Sequence, residues 1–431
     1  MLSEDRPPST VHRPQPLLLW CCGIMVGLFL PLKTVEAEEV QAGVARQAFA
    51  LPRGVPLAGY SRRGGAPSRG QHDPVGVRAL VVSKGATVAA LVSCELLIVD
   101  ERLFEAVRRR LIAQGFPADG VLLLAATHTH SGPGAFGTTF LEKVSMGHFD
   151  PELFDALAQA LTQAVWDAYT MRSPVRIAYR RAPTEGLVVN RVDAAGLADE
   201  ELVVCALYRP DAVAPFAVLV NFAAHPTTLG AWNLYVSGDY PGVVMREVER
   251  RLPGATCFFF AGAVGDQAPV KAGIGFERSE WVGVALTRDV IALLEPLSPE
   301  PPHTLQALQE RLVLPPARVR LGSWVTLPRW MGRALVDDDA TLSLLVIGRV
   351  AFLGVPCDLS AALGQQLKAA AVARRLDPLI VGFASDCIGY CLSESQYAAS
   401  TYEASMAFNG PKAGELVVEE LTRMMGQLSG E

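Results

Sequence analysis

The chain has 431 residues, of which 50% are hydrophobic and 19% are charged, and its formal net charge is −6. These proportions are typical of a globular protein and exclude fibrous and disordered classes. The basic residues are scattered along the chain, which argues against a nucleic-acid-binding protein. A chain of this length can bury a large core as one domain or two.

The first 37 residues differ in character from the rest. A polar start precedes an apolar stretch from Leu17 to Leu32, and Val35-Glu36-Ala37 resembles a signal-peptidase site. The apolar stretch is shorter than the roughly 20 residues that a membrane span needs. We therefore expect 1–37 to be a cleaved signal peptide, with an uncleaved N-terminal anchor as the alternative. The protein is then secreted or periplasmic, or anchored to a membrane by this segment.

From residue 38 onward, apolar strand-like runs alternate with amphipathic helical ones. Periodicity predicts strands at Val77–Val82, Thr87–Val92, Val121–Ala126, Ile177–Ala182, Leu202–Tyr208, Phe216–Phe222, Cys257–Gly262, Thr341–Phe352 and Leu379–Phe383. It predicts helices at Asp100–Gln114, Asp150–Tyr169, Pro241–Leu252, Glu280–Leu294, Asp358–Arg375 and Gly414–Gln427. This order indicates an α/β fold with a mixed β-sheet core covered by helices. We expect 38–431 to be a single catalytic domain despite the proline-rich break at Pro296–Pro302.

The most informative segment is 127–134, with the sequence THTHSGPG. It follows the predicted strand Val121–Ala126, and ligands collect at the carboxyl ends of strands in α/β sheets. Alternation along an extended chain places His128 and His130 on the same side. Imidazole is both the commonest metal ligand and the side chain best suited to proton transfer near neutral pH. The alternative is a loop that carries two surface histidines.

Further polar residues follow the later strands. His225, Asp266, Asp358 and Tyr390 each lie in a segment that follows an apolar strand-like run. Taken singly, His225 could be a structural histidine, Asp266 a turn cap, Asp358 the N-cap of the next helix and Tyr390 a core aromatic. Their shared position predicts that they converge. Two histidines, a carboxylate and another oxygen ligand fit a catalytic zinc site at the carboxyl ends of the strands.

An ordered series of motifs from about Gly43 to the C-terminus resembles the catalytic domain of the neutral/alkaline non-lysosomal ceramidase family. The motifs are Pro56-Leu57-Ala58-Gly59-Tyr60, His72-Asp73-Pro74, THTHSGPG, Asn190-Arg191, Ala224-His225-Pro226, Ser237-Gly238-Asp239-Tyr240-Pro241-Gly242, Gly265-Asp266 and Tyr397 through Gly410. Members of this family are zinc-dependent amidases that cleave the N-acyl bond of ceramide. The resemblance implies the same fold and chemistry here.

The resemblance also implies roles for individual residues. It assigns the zinc ion to His128, His225, Asp358 and Tyr390. It assigns substrate and oxyanion contacts to His130, Arg191 and Tyr402. For Asp266 we expect a role in orienting a histidine or shuttling a proton, with turn capping as an equally good alternative.

The chain departs from the family pattern at three points. The family's G-D-x-S-P segment carries a serine needed for ceramide hydrolysis, and Ala268 stands at that position. Asp358 replaces the family's ligand glutamate and is one methylene shorter. The chain ends near Glu431, so we expect no immunoglobulin-like C-terminal domain.

The resulting hypothesis is a zinc-dependent hydrolase of ceramide or a related lipid amide. Zinc would lower the pKa of a bound water molecule to about 7, and that water would attack the carbonyl. Partners are a lipid or small-molecule amide and a membrane surface, without nucleic acid. Two alternatives remain open: a hydrolase of the same fold with another amide or ester substrate, and a catalytically silent ligand-binding relative, which Ala268 favours.

Overall fold

In this computed structural model, the described residues are 38–295, 297–321, 325–326, 336–399 and 401–428. The signal peptide or anchor expected at 1–37 lies outside them. The strands form where apolar runs are covered on both faces, so that all six residues of Val121–Ala126 are buried. Two of the helices illustrate side-chain capping: Asp100 accepts a hydrogen bond from the Leu103 amide, and Asp150 caps a helix whose first turn holds Pro151.

The strands, in chain order, are β1 (Gln41–Ala48), β2 (Gly70–Gln71), β3 (Gly76–Lys84), β4 (Thr87–Cys94), β5 (Val121–Ala126), β6 (Ser173–Pro174), β7 (Arg176–Pro183), β8 (Val188–Asn190), β9 (Glu201–Tyr208), β10 (Ala217–Phe222), β11 (Tyr235–Val236), β12 (Thr256–Ala261), β13 (Gln267–Pro269), β14 (Leu305–Val313), β15 (Arg320–Leu321), β16 (Val325–Thr326), β17 (Asp339–Ile347), β18 (Val350–Gly354), β19 (Asp358–Leu359), β20 (Asp377–Val381) and β21 (Tyr390–Cys391). The helices are α1 (Glu101–Ala113), α2 (Phe140–Met146), α3 (Pro151–Thr170), α4 (Asp239–Arg251), α5 (Phe276–Leu294), α6 (Ala361–Val372), α7 (Glu394–Ala398), α8 (Tyr402–Ser405) and α9 (Ala413–Gly426), with a 3-10 turn at Ser61–Arg63.

Three larger sheets carry the core. Their strand orders are β5-β4-β3-β1-β6, β12-β10-β9-β7 and β14-β17-β18-β20. Each contains antiparallel pairs and one parallel pair, namely β4 with β5, β10 with β12 and β18 with β20. The sheets are therefore mixed, as the sequence predicts.

The three sheets face one another around a central apolar cluster to which each contributes strands. The outer face of each sheet packs against helices, α1 and α3 on the first, α4 and α5 on the second, and α6 and α9 on the third. Residues 38–431 form one compact unit. Among the described residues, no helix has the length and apolar character needed to cross a membrane.

Two predicted helix starts are wrong. The helix predicted from Asp358 begins at Ala361, because Asp358 and Leu359 pair with Tyr390 and Cys391 as short parallel strands. Asp358 is therefore not the N-cap of α6, a position that Ser360 occupies. The helix predicted from Glu280 begins one turn earlier, at Phe276.

Candidate metal centre and its surroundings

The parallel strand pairs deliver three histidines to one point. His128 and His130 follow β5, and His225 follows β10. The Nε2 atom of His225 lies 3.0 Å from the Nε2 atoms of both His128 and His130, which are 3.2 Å from each other. These three side chains form a cluster that could hold a metal ion.

Backbone carbonyls fix the protonation of two of these rings. The Nδ1 atom of His128 lies 2.7 Å from the carbonyl oxygen of Leu97, and that of His225 lies 3.4 Å from the carbonyl oxygen of Val264. A carbonyl only accepts, so each Nδ1 carries the hydrogen and each Nε2 presents a lone pair. Two lone pairs facing each other at 3.0 Å repel unless a cation lies between them.

Burial keeps the imidazoles neutral. It lowers the pKa of His128 to about 3 and the pKa of His130 and His225 well below the ordinary value. The positive charge of Arg191 and the neighbouring rings act in the same direction. Neutral imidazole is the form that binds metals.

Backbone strain is concentrated beside this cluster. His128 has φ 63°, Phe383 has φ 53° and Ser385 has φ 65°, all in the left-handed region. The Phe383 ring stacks on the His128 ring, with centroids 3.7 Å apart and an interplanar angle of 3°. Strained residues at a site mark a geometry that the surrounding structure enforces. Sequence reasoning missed Phe383, because an apolar run gives no sign of which ring stacks on which.

His130 lies at the less buried side of the cluster. Its ring centroid is 4.9 Å from that of Tyr60, and its Nδ1 has no hydrogen-bond partner in the described part of the chain. Gly59 has φ 104°, and a Cβ there would lie 2.5 Å from this Nδ1. The segment that contains Gly59 and Tyr60 therefore packs against His130 so closely that a side chain at position 59 would collide with the ring.

Asp358 reaches the cluster from β19. Its Oδ1 lies 3.6 Å from the Nε2 of His128 and 3.8 Å from the Nδ1 of His225. This oxygen is buried without a hydrogen-bond partner among the described residues. Burial raises the pKa of Asp358 to about 7, against the opposing effects of Arg191 and Tyr390. An unpartnered buried carboxylate oxygen is costly unless something positive binds it.

Arg191 is held in a fixed orientation next to Asp358. Its Nη2 donates to the Tyr390 hydroxyl at 2.7 Å and to the Gly265 carbonyl at 3.0 Å, and its Nε donates to Glu403 at 3.0 Å. Burial alone would lower the pKa of this guanidinium, but the surrounding Tyr390, Glu403 and Asp358 oxygens raise it overall. Arg191 therefore stays charged. Glu403 is a site neighbour that sequence reasoning did not single out.

The two tyrosines lie in different environments. Tyr390 is buried, and burial together with the negative charge of Asp358 raises its pKa well above the ordinary value. Tyr402 is 63% exposed, and its ring centroid is 6.1 Å from that of Tyr390. Tyr390 thus lies within the buried polar cluster, whereas the Tyr402 side chain is accessible from solvent.

Asp266 makes contacts of another kind. Its carboxylate accepts hydrogen bonds from the Ala361 amide at 2.9 Å and from the side chains of Gln267, Gln396 and Asn190. The Ala361 bond caps α6. The role expected for Asp266 toward a histidine or a proton stays a prediction. Ala268 follows two positions later in β13, opposite Val189, and is partly buried.

The donor set fits a divalent metal ion. Two nitrogens bound to one tetrahedral zinc would lie about 3.3 Å apart, close to the 3.0 Å between the Nε2 atoms of His128 and His225. A cation would bind the Nε2 lone pairs of His128 and His225, which face each other. It would also bind the Oδ1 of Asp358, which has no hydrogen-bond partner among the described residues. Other divalent ions also accept imidazole and carboxylate ligands.

Among the described residues, no cysteine belongs to the histidine cluster that could hold a metal ion. The structure has Cys94, Cys205, Cys257, Cys357, Cys387 and Cys391 as free thiols. The first three are buried in β4, β9 and β12.

Comparisons with known proteins agree with the motifs. The model of the neutral/alkaline non-lysosomal ceramidase N-terminal domain matches residues 51–273. A neutral ceramidase of Mycobacterium tuberculosis is 27% identical over 180 residues, which are 38% of this chain and 28% of that protein. A neutral ceramidase of Pseudomonas aeruginosa is 25% identical over 234 residues, 48% of this chain and 35% of that protein. The chain thus aligns with about a third of the length of the curated relatives it matches.

Solved structures show the same fold. A ceramidase complexed with C2 superposes with a TM-score of 0.79 at 18% identity, covering 90% of this chain and 75% of that one. The neutral ceramidase from Pseudomonas aeruginosa superposes with a TM-score of 0.78 at 19% identity, covering 91% of this chain and 76% of that one. Because the family model spans more than half of the residues, the chain belongs to the neutral/alkaline non-lysosomal ceramidase family.

Proposed function

We propose that this protein is a zinc-dependent hydrolase that cleaves the N-acyl amide bond of ceramide or a related lipid amide. The observation that supports this most directly is the meeting of the His128 and His225 lone pairs beside the unpartnered oxygen of Asp358. Membership of the ceramidase family supplies the substrate class. Fold alone does not fix the chemistry, so the metal-dependent part of the assignment depends on this site.

In the proposal, His128, His225, Asp358 and Tyr390 hold the ion. A bound ion would act as a Lewis acid that polarises a carbonyl and lowers the pKa of water. Leu97 and Val264 keep the two histidine lone pairs aimed inward through their carbonyl oxygens. Such second contacts fix both ring orientation and tautomer.

His130, Arg191 and Tyr402 act on the substrate carbonyl. His130 lies on the open side of the cluster, and its neutral ring can accept or donate a proton. Arg191 keeps its charge and cannot rotate freely because Glu403, Tyr390 and Gly265 hold it. A fixed cation stabilises the oxyanion that develops when the amide carbonyl is attacked, worth roughly 2.7–4 kcal/mol for a well-placed donor.

Ala268 favours a second candidate, a metal hydrolase of the same fold with a different amide or ester substrate. A methyl group cannot donate or accept a hydrogen bond, so any substrate contact made by a serine at this position is lost. The described polar groups around the histidines do not depend on residue 268. We therefore expect Ala268 to change which substrate is bound and not to remove the hydrolytic chemistry.

The test measures fatty-acid release from a fluorescent short-chain ceramide by the full chain loaded with zinc. A short N-acyl amine and a short ester are run in parallel. The proposal predicts release from ceramide that a chelator abolishes, that added zinc restores and that His128→Ala lacks. His303→Ala, in an exposed segment, is the matched control. Release from the ester or amine alone would favour the second candidate, and no release by metal-loaded protein would favour a silent relative.

A further inference from the structure

Large apolar side chains are exposed on the segments that surround the His130 side of the cluster. Phe140 is 66% exposed, Trp232 83% and Ile274 86%, while Val144 and Tyr235 are each more than 40% exposed. Phe140 and Val144 are four residues apart on α2 and so share one helix face. Exposed apolar groups that cluster indicate an interaction surface, whereas scattered ones do not.

Direct contacts connect these segments. Arg63 donates to the carbonyls of both His130 and Gly230, which ties the 3-10 turn to the site and to the loop that carries Trp232. The neighbouring Arg62 guanidinium lies 5.7 Å from the centre of the Trp232 ring. The Gly59 amide donates to the Ser145 carbonyl at 3.0 Å, which connects the same turn to α2.

The segment that carries Ile274 is connected to the other segments through His72. The His72 amide donates to the Val236 carbonyl, next to Tyr235, at 2.9 Å. The His72 ring stacks on Phe276 with centroids 3.6 Å apart, and Ile274 precedes Phe276 by two residues. We call the apolar side chains Phe140, Val144, Trp232, Tyr235 and Ile274 the apolar rim.

The charge around the apolar rim is opposite in sign to that of the whole chain. Residues 51–72 contain four arginines and no aspartate or glutamate, and residues 226–238 contain no charged residue. Lys271 is offset by the exposed Glu277, and Glu142 of α2 is offset by Lys143, so the net positive charge comes from the arginines of 51–72. The side chains of Arg62, Arg69 and Lys271 are exposed. A positive, aromatic-bearing edge on a chain of net charge −6 is complementary to an anionic surface.

We propose that the apolar rim docks the protein on an anionic lipid bilayer, with Trp232, Phe140 and Ile274 entering the interfacial layer. Tryptophan and phenylalanine favour this layer, and flanking arginines add electrostatic attraction to acidic headgroups. The proposal rests on the proposed function, because docking would bring the His130 side of the cluster to a substrate that resides in the bilayer. Docking itself requires no catalysis.

The experiment follows Trp232 as it meets lipid. Protein that begins at Glu38, and so lacks the expected signal peptide or anchor, is mixed with vesicles of brominated phosphatidylcholine and phosphatidylserine, and its tryptophan quenching is compared with that of Trp232→Phe. The difference isolates Trp232 from the chain's other tryptophans. We expect the Trp232 component to be quenched, weakly on pure phosphatidylcholine and strongly with phosphatidylserine. Bound protein with an unquenched Trp232 component would overturn the proposal.

Charge and apolar variants complete the test. Arg62→Glu and Arg69→Glu should each weaken vesicle binding at least about fivefold per charge near the surface. Trp232→Ser should weaken it further, whereas Val213→Ser should not. Val213 is 96% exposed in the β9–β10 hairpin, at the opposite end of β10 from His225. Equal vesicle binding by all variants would contradict the proposal. A concentration-dependent dimer that Trp232→Ser abolishes would assign the apolar rim to a second copy of the chain instead.

A soluble short-chain amide separates this proposal from the function proposed above. Trp232→Ser should hydrolyse the soluble substrate as fast as the unmodified protein and hydrolyse vesicle-embedded substrate more slowly. If no protein hydrolyses either substrate, the proposed function fails while the quenching result still decides the docking surface.

Discussion

The Nε2 atoms of His128 and His225 lie 3.0 Å apart, and in the tautomers that the backbone carbonyls favour neither atom carries a hydrogen. The Leu97 and Val264 carbonyls hold the hydrogen of each ring on Nδ1. This arrangement is unfavourable in an empty protein and favourable around a cation. The stability of the folded chain should therefore depend on metal.

Removing one ligand should show this dependence. His128→Ala should lower zinc affinity at least about tenfold and abolish the rise in melting temperature that zinc gives the unmodified protein. Metal content is measured by mass spectrometry after dialysis against buffered zinc, and melting by differential scanning calorimetry. His303→Ala should retain both properties. An undiminished zinc content in His128→Ala would contradict the assignment of this ligand.

Arg191→Lys tests the role of the fixed guanidinium. A lysine keeps the charge but cannot contact Glu403, Tyr390 and Gly265 at the same time. We expect kcat to fall about 10²–10³-fold, the range found for losing an oxyanion donor, while zinc content stays the same. The exposed Arg180→Lys is the control. A change in KM alone would show that Arg191 serves substrate binding.

Alanine substitutions at two glycines with positive φ distinguish backbone strain from a steric clash with His130. Gly59→Ala places a methyl group 2.5 Å from the Nδ1 of His130, whereas Gly64, at φ 58°, has nothing within 4 Å of the added carbon. Both variants incur backbone strain of about 1–3 kcal/mol. Only Gly59→Ala should also displace His130 and reduce activity per folded molecule, measured by steady-state kinetics. Equal losses in the two variants would refute a steric role for Gly59.

Asp100 should make stability depend on pH. Burial, with a smaller contribution from the nearby Glu142 carboxylate, raises the pKa of Asp100 to about 7, while Arg102 and the Leu103 amide act in the opposite direction. The pKa of Asp100 in the folded chain exceeds its value near 3.9 in the unfolded chain. Between pH 3.9 and about 7, the carboxyl is therefore protonated in the folded chain and ionised in the unfolded chain. Stability from this group is therefore full below about pH 4 and is lost as pH rises through 7.

Asp100→Asn removes this titration and keeps an oxygen that can cap α1. From pH 5 to pH 8, the free energy of unfolding of the unmodified protein should therefore fall relative to that of Asp100→Asn. The fall should reach up to a few kcal/mol, at 1.36 kcal/mol per pKa unit. Urea titrations at both pH values measure it. A difference that is constant with pH would show that Asp100 is already ionised at pH 5.

Local sequence pattern determined most of the secondary structure. Continuous apolar runs such as Val121–Ala126 can only be buried strands or buried helices, and their length and flanking turns decide for strands. The α/β class and the mixed sheets followed from the order of these runs. The position of polar residues directly after strands also indicated His128 and His225, since strand ends gather at one edge of a sheet.

Tertiary structure alone decided which groups meet. Phe383 stacks on His128, Glu403 holds Arg191, and Asp266 caps α6 through Ala361, and all three contacts join residues more than 90 positions apart. Asp358 lies in a short strand and not in the helix predicted for it, because Tyr390 pairs beside it. A local sequence pattern records which face of an element is apolar. Which side chain fills a particular contact depends on how distant strands pack, and that is settled only when the three sheets close around their common core.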